Sequence, residues 1–109
     1  MHELAIAESV VESVVDRTGS RTVSVVRLRV GRLSGVVPDA LMFCFELAAA
    51  GTALDGAELQ IEDQEGRARC RDCGQDFALD DPILLCGCGS ADVEVLTGRD
   101  LVVTSVEVA

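Results

Sequence analysis

Four of the five cysteines fall in two tight pairs, Cys70-Arg71-Asp72-Cys73 and Cys86-Gly87-Cys88, with twelve residues between them. Each pair is followed by glycine. Two such loops facing one another supply the four thiolates of a closed, tetrahedral structural Zn²⁺ site. The stretch from Gly66 to about Val95 holds too few apolar side chains to fold unaided, so it is expected to be a metal-stapled module. Two other readings stand beside this one: a redox C-x-x-C, and a set of unrelated thiols. A thioredoxin-like pair opens a helix in a βαβ setting, whereas these flanks are glycine-rich and strand-like. The second pair is one residue shorter than C-x-x-C. Either Cys86 ligates through a tightened loop, or another group fills the fourth position, with Asp80 and Asp81 the nearest carboxylates; the four-cysteine set is preferred.

A chain of 109 residues makes one domain, or one domain carrying a small appended module. At 49% hydrophobic and 26% charged it is globular in composition, but with three phenylalanines and no Trp or Tyr its core must be built from Val and Leu. All nine basic residues are arginine, and nineteen acids bring the formal charge to -10. That balance argues against nucleic acid, whose phosphates require a basic surface. It suits a protein that meets basic partners or handles cations. No run of apolar residues is long enough to span a bilayer, and the N-terminus lacks the basic and apolar regions of a secretory signal. A cytosolic location is expected, where thiols stay reduced. The odd cysteine count agrees with metal ligation.

Hydrophobic periodicity lays out the elements. Leu4, Ala7, Val10, Val11, Val14 and Val15 recur at helical spacing over residues 2–18, with Gly19 as the stop. Residues 22–30 read as a strand with Val26, Leu28 and Val30 on one face and Arg27 and Arg29 on the other. Pro38 and Asp39 suit the start of a second helix, whose stripe is Leu41, Cys44, Phe45 and Ala48 and whose end is Gly51. Residues 57–63 and 100–108 read as two further strands. The expected fold is α+β: two helices on a small three-stranded sheet with an inserted zinc-ribbon module. Residues 1–65 with 96–109 would form the α/β unit and 66–95 the ribbon.

Two side chains stand apart. Cys44, between Phe43 and Phe45, reads as a small buried hydrophobe. His2 is the only histidine. It lies beside the α-amino group and the first backbone amides, a nitrogen-rich set of the kind that Ni(II) and Cu(II) accept in square-planar geometry. The plainer reading is that position 2 tolerates any polar residue. With its sole histidine at the terminus, the chain has no Cys-His or Ser-His-Asp set, and a closed four-cysteine site has no open position for a catalytic water. No enzyme is expected.

Taken in order, Met1-His2-Glu3-Leu4, Gly31-Arg-Leu-Ser-Gly-Val-Val-Pro38, Leu41 to Gly51, Gly56-Ala-Glu-Leu-Gln-Ile61, Cys70-x-x-Cys73-Gly74, Cys88-Gly-Ser90 and Gly98-Arg-Asp-Leu101 resemble the HypA/HybF family of hydrogenase nickel-incorporation proteins over essentially the full length. The resemblance implies a nickel metallochaperone for the [NiFe] hydrogenase centre, with Ni(II) as cargo and Zn(II) as a structural ion. It implies His2 as a nickel ligand with Glu3 beside it, and Cys70, Cys73, Cys86 and Cys88 as zinc ligands. It also implies the GTPase HypB and the hydrogenase large subunit as partners, and a homodimer as an assembly to test. The family pattern has C-x-x-C at both pairs; Cys88 is placed by the Gly-Ser that follows it, and Cys86 departs by one residue. Histidine is too large for the processing aminopeptidases that remove Met, so Met1 is expected to remain and add its amine. The first amides of a helix have no intrahelical partner, so donation from the Glu3 amide would break no helical bond. The rival from another class is a zinc-stapled interaction adaptor in which His2 is incidental.

Overall fold

The computed structural model describes residues 2–109; Met1 lies outside them. Two helices and two three-stranded sheets form an α+β molecule, 52 × 21 × 17 Å along its principal axes.

Helix α1 spans Glu3–Thr18 and buries Ala7, Val11 and Val14, one face at 3.6-residue periodicity. Gly19 ends it with φ 66°, and its N–H donates to Val15 O at 2.8 Å. Strand β1, Val23–Gly31, buries Val23, Val26, Leu28 and Val30. A register shift between Val23 and Val25 accounts for the three-residue step that precedes the regular alternation. Helix α2, Pro38–Ala49, buries Leu41, Phe45 and Ala49, with Cys44 and Ala48 half-buried beside them. It ends two residues before Gly51. Strand β2, Glu58–Gln64, runs parallel to β1. Parallel neighbours need a crossover, and α2 supplies it. The C-terminal strand, β6 (Leu101–Val108), lies antiparallel on the other side of β1, giving the order β2-β1-β6. Both helices cover one face. On the other, Arg27 pairs with Glu107 at 2.8 Å and Arg29 with Glu62 at 3.2 Å. These exposed pairs settle register more than stability, since each contributes only about 0–1 kcal/mol.

The segment expected to be a metal-stapled zinc-ribbon module carries a sheet of its own. Strands β3 (Gly66–Cys70), β4 (Asp76–Leu79) and β5 (Val93–Thr97) are antiparallel in the order β4-β3-β5. Strand β5 runs across the division at residue 95. The core here is Cys70, Cys86 and Val93, with Phe77 and Leu84 packed against them.

The two sheets meet at a crossing of glycine backbones. Gly31 N–H donates to Asp100 O at 2.7 Å, and Leu33 N–H to Gly98 O at 2.8 Å. A Cβ on Gly31 would lie 1.9 Å from Gly98 O, and one on Gly66 would lie 2.2 Å from Leu79 O. Gly98 adopts φ 113°, a conformation open to glycine alone in practice. Gln64 Oε1 accepts the N–H groups of Gly98 and Asp100 at 3.1 and 3.2 Å. Arg32 spans the junction, bonded to Asp63 of β2 at 3.0 Å and to Asp80 beyond β4 at 2.9 Å.

Candidate metal centres

Cys70 closes β3 and opens a turn. Its N–H donates to Gln75 O and its carbonyl accepts from Gly74 N–H, both at 2.9 Å. Cys86 makes the same two bonds in the second loop: its N–H donates to Ser90 O and its carbonyl accepts from Gly89 N–H, again at 2.9 Å. In each loop the first cysteine is tied to the glycine after the second cysteine and to the residue beyond. Gly74 and Gly89 turn the chain with φ 75° and 94°. The C-x-C loop is therefore the C-x-x-C loop with one residue removed from its interior and its closure intact.

This closure brings the sulfurs of Cys70, Cys73, Cys86 and Cys88 within 4.8 Å of one another. The nearest pairs lie across the loops, Cys70 Sγ to Cys88 Sγ at 3.7 Å and Cys73 Sγ to Cys86 Sγ at 3.6 Å. A tetrahedron of thiolates with Zn–S bonds of about 2.3 Å has edges of about 3.8 Å. A disulfide needs sulfurs at about 2.05 Å, and all five cysteines are free. The donor set thus fits a tetrahedral thiophilic ion. Cys70 and Cys86 are buried, while Cys73 and Cys88 face solvent.

The carboxylates weighed as substitutes are engaged elsewhere. Asp80 pairs with Arg32, and Asp81 accepts Ile83 N–H at 2.8 Å. The C-x-x-C lies at a strand end and a turn, away from any helix start, which removes the setting a thioredoxin-like site requires. Cys44 packs against the main core but is half-buried, less covered than the buried hydrophobe expected.

The Cys73 N–H, 3.4 Å from Cys70 Sγ, holds the Cys70 thiol down to about 7 against the effect of burial. Cys86 is stabilised as a thiolate by the Cys88 N–H, but burial and its three thiol neighbours outweigh this and push it up to about 12. At neutral pH such a cluster gives up its first proton readily and its later ones only to a cation. Metal uptake must therefore release protons. The apparent zinc affinity is expected to fall more than about tenfold from pH 7 to pH 6, measured by competition with a chromophoric chelator. A pH-independent affinity would contradict proton displacement.

At the other candidate centre, His2 is exposed and occupies the N-cap of α1, where its side chain makes no capping bond. Its carbonyl accepts Ile6 N–H at 3.2 Å, the first bond of the helix. Glu3 Oε2 accepts Val37 N–H at 3.4 Å and so links the start of α1 to the N-cap of α2. His2 borders an open groove of about 780 Å³ between α1 and β6, lined by Ile6, Val10, Leu28, Leu101 and Val103. His2, exposed, and Glu3, half-buried, are thus adjacent and remote in sequence from the cysteine cluster; the expected third member, Met1, lies outside the described residues.

A family model described as "Hydrogenase/urease nickel incorporation, metallochaperone, hypA" matches residues 1–108. The chain belongs to the HypA family. Among HypA relatives, the hydrogenase maturation factor HypA of Geotalea uraniireducens is 49% identical, covering 99% of each chain. That of Nostoc sp. is 42% identical, covering 99% of this chain and 96% of the relative. The solution structure of the Ni metallochaperone HypA from Helicobacter pylori superposes with a TM-score of 0.67 at 22% identity, covering 99% of this chain and 97% of that one. That likeness establishes the shared HypA fold. HypA proteins form a family of metallochaperones in hydrogenase maturation rather than a class of enzymes. Among the described residues, no helix is long and apolar enough to cross a membrane.

Proposed function

We propose that this chain carries Ni(II) at its N-terminus, on Met1, His2 and Glu3, and delivers it to the [NiFe] hydrogenase centre. Residues 1–65 with 96–109 form the cargo-bearing unit. Residues 66–95, with β5 running on to Thr97, form a zinc ribbon in which Cys70, Cys73, Cys86 and Cys88 hold a structural Zn(II). The protein works in the cytoplasm, without catalysis of its own and without contact to nucleic acid or membrane.

The observation that carries the nickel reading is the exposed His2 at the N-cap of α1, its side chain uncommitted, in a chain with no other histidine. The amides of the first helical turn have no intrahelical acceptor and stand beside it. The positive end of the helix opposes a cation, and the Glu3 carboxylate offsets part of that. A site balanced in this way suits transfer more than storage. The partners are the GTPase HypB and the hydrogenase large subunit, with a homodimer as a further assembly. The exposed side chains of Val37, Met42, Phe43 and Leu47 offer them an apolar surface.

Metal analysis of the untagged protein tests both centres together. Wild type is expected to bind nickel and zinc. His2→Ala should lose nickel and keep zinc, and an extension before Met1 should weaken nickel binding without touching zinc. Unchanged nickel uptake in His2→Ala would leave the zinc-stapled adaptor as the better reading.

A further inference from the structure

The exposed half of the cysteine cluster is bridged by side chains that ligate nothing. Ser90, two residues after Cys88, donates its hydroxyl to the Asp72 carboxylate, next to Cys73. The same Ser90 Oγ accepts Asp92 N–H at 3.1 Å. One residue earlier in the first loop, Arg71 N–H donates to Asp92 O, and Arg71 Nη1 to Asp92 Oδ1, both at 2.9 Å. The first loop is thus fastened to the segment that follows the second through residues 71 and 72 on one side and 90 and 92 on the other. The fastening joins the chain beside Cys73 to the chain just after Cys88, the two cysteines exposed to solvent, while Cys70 and Cys86 are anchored in the small core.

An ion held between two loops leaves when the loops part on their open side. The buried cysteines are restrained by Val93, Phe77 and Leu84. Across the open side, Ser90 and Asp72 supply a charge-assisted hydrogen bond. We propose that the Ser90–Asp72 bond is a latch across the mouth of the cysteine cluster, a positioning pair that sets how fast zinc escapes. The proposal rests on the zinc reading above. It concerns release more than ligation, because all four thiolates remain when the latch is cut. The charge of Asp72 also attracts Zn²⁺, so Asp72→Ala loses that attraction together with the bond, whereas Ser90→Ala cuts the bond and leaves the charge in place.

The test is zinc release from the full, zinc-loaded chain into excess EDTA, followed for wild type, Ser90→Ala, Ser90→Thr and Asp72→Ala. Ser90→Ala and Asp72→Ala are expected to release zinc about tenfold faster or more, the scale on which outer-shell partners of metal ligands act. Ser90→Thr, which keeps the hydroxyl, should release at close to the wild-type rate. The Co(II)-substituted proteins should share one thiolate charge-transfer band, since the ligands are unchanged. A wild-type release rate in Ser90→Ala, or slower release in Asp72→Ala, overturns the latch. If Ser90→Ala fails to fold, Ser90→Thr and Asp72→Ala still decide the matter. Zinc bound by wild type with unaltered release in the variants defeats the latch alone. Failure of wild type to take up zinc defeats the zinc reading and the latch with it.

Discussion

Replacing Cys86 with serine is expected to abolish zinc binding and unfold the second sheet while the helical layer survives. Cys86 is both a donor of the cluster and one of the three buried residues of the small core. The core of α1, α2 and β1–β2 shares none of these residues. Structural zinc contributes on the order of 10 kcal/mol to modules of this kind, far more than Val93, Phe77 and Leu84 can supply by burial. Amide resonances of residues 66–97 should collapse into the unfolded region of an NMR spectrum, and those of α1 and α2 should hold their positions. Removing zinc from the wild type with a strong chelator should give the same pattern. A folded β3–β4–β5 sheet in zinc-free protein would show that the ion is not the staple.

The second large effect is at the glycine crossing. Gly31→Ala should destabilise the protein by about 3 kcal/mol, the upper range for overpacking a closed interior. The new methyl would have to displace Gly98 O, which lies 1.9 Å from its position and is itself held by Leu33 N–H. Backbone cannot step aside as a flexible side chain can. Gly87→Ala is the matched control, because no atom lies within 4 Å of the added carbon and the backbone there is not left-handed. It should cost less than about 0.5 kcal/mol. Urea unfolding of the zinc-loaded variants measures both. Equal stability of the two would mean that the sheets can separate at the junction without loss.

Much of the first layer was readable from periodicity, because Val26, Leu28 and Val30 alternate and Ala7, Val11 and Val14 recur at helical spacing. The facing of α2 was readable too: the stripe Leu41, Cys44, Phe45 and Ala48 includes Phe45, 2% exposed, and leaves out Phe43, 63% exposed. The second sheet lies in the module expected as a zinc ribbon, but its individual strands were not placed although their signal was present. Gly66, Ala68 and Cys70 alternate with Arg67 and Arg69, and the buried and exposed faces follow that pattern. The charges of this segment are paired, Arg69 with Asp76 at 2.7 Å and Arg71 with Asp92 at 2.9 Å. Strands of four and five residues also fall near the lower limit at which alternation can be told from chance. The cysteine set itself was legible because thiolates at knuckle spacing have few other uses. The bonds of Ser90, Asp72 and Asp92 were not, since they join residues made neighbours only by the fold.

The two cysteine loops differ in length and agree in closure, and this bears on how such loops are found. A pattern that counts residues between cysteines would discard Cys86-Gly87-Cys88 as a broken copy. The feature shared by both loops is the glycine after the second cysteine, together with the backbone pair that ties the first cysteine to that glycine and to the residue beyond. Interior length is free to vary so long as those end points hold. A search keyed to the end points would recover shortened loops that fixed spacing overlooks.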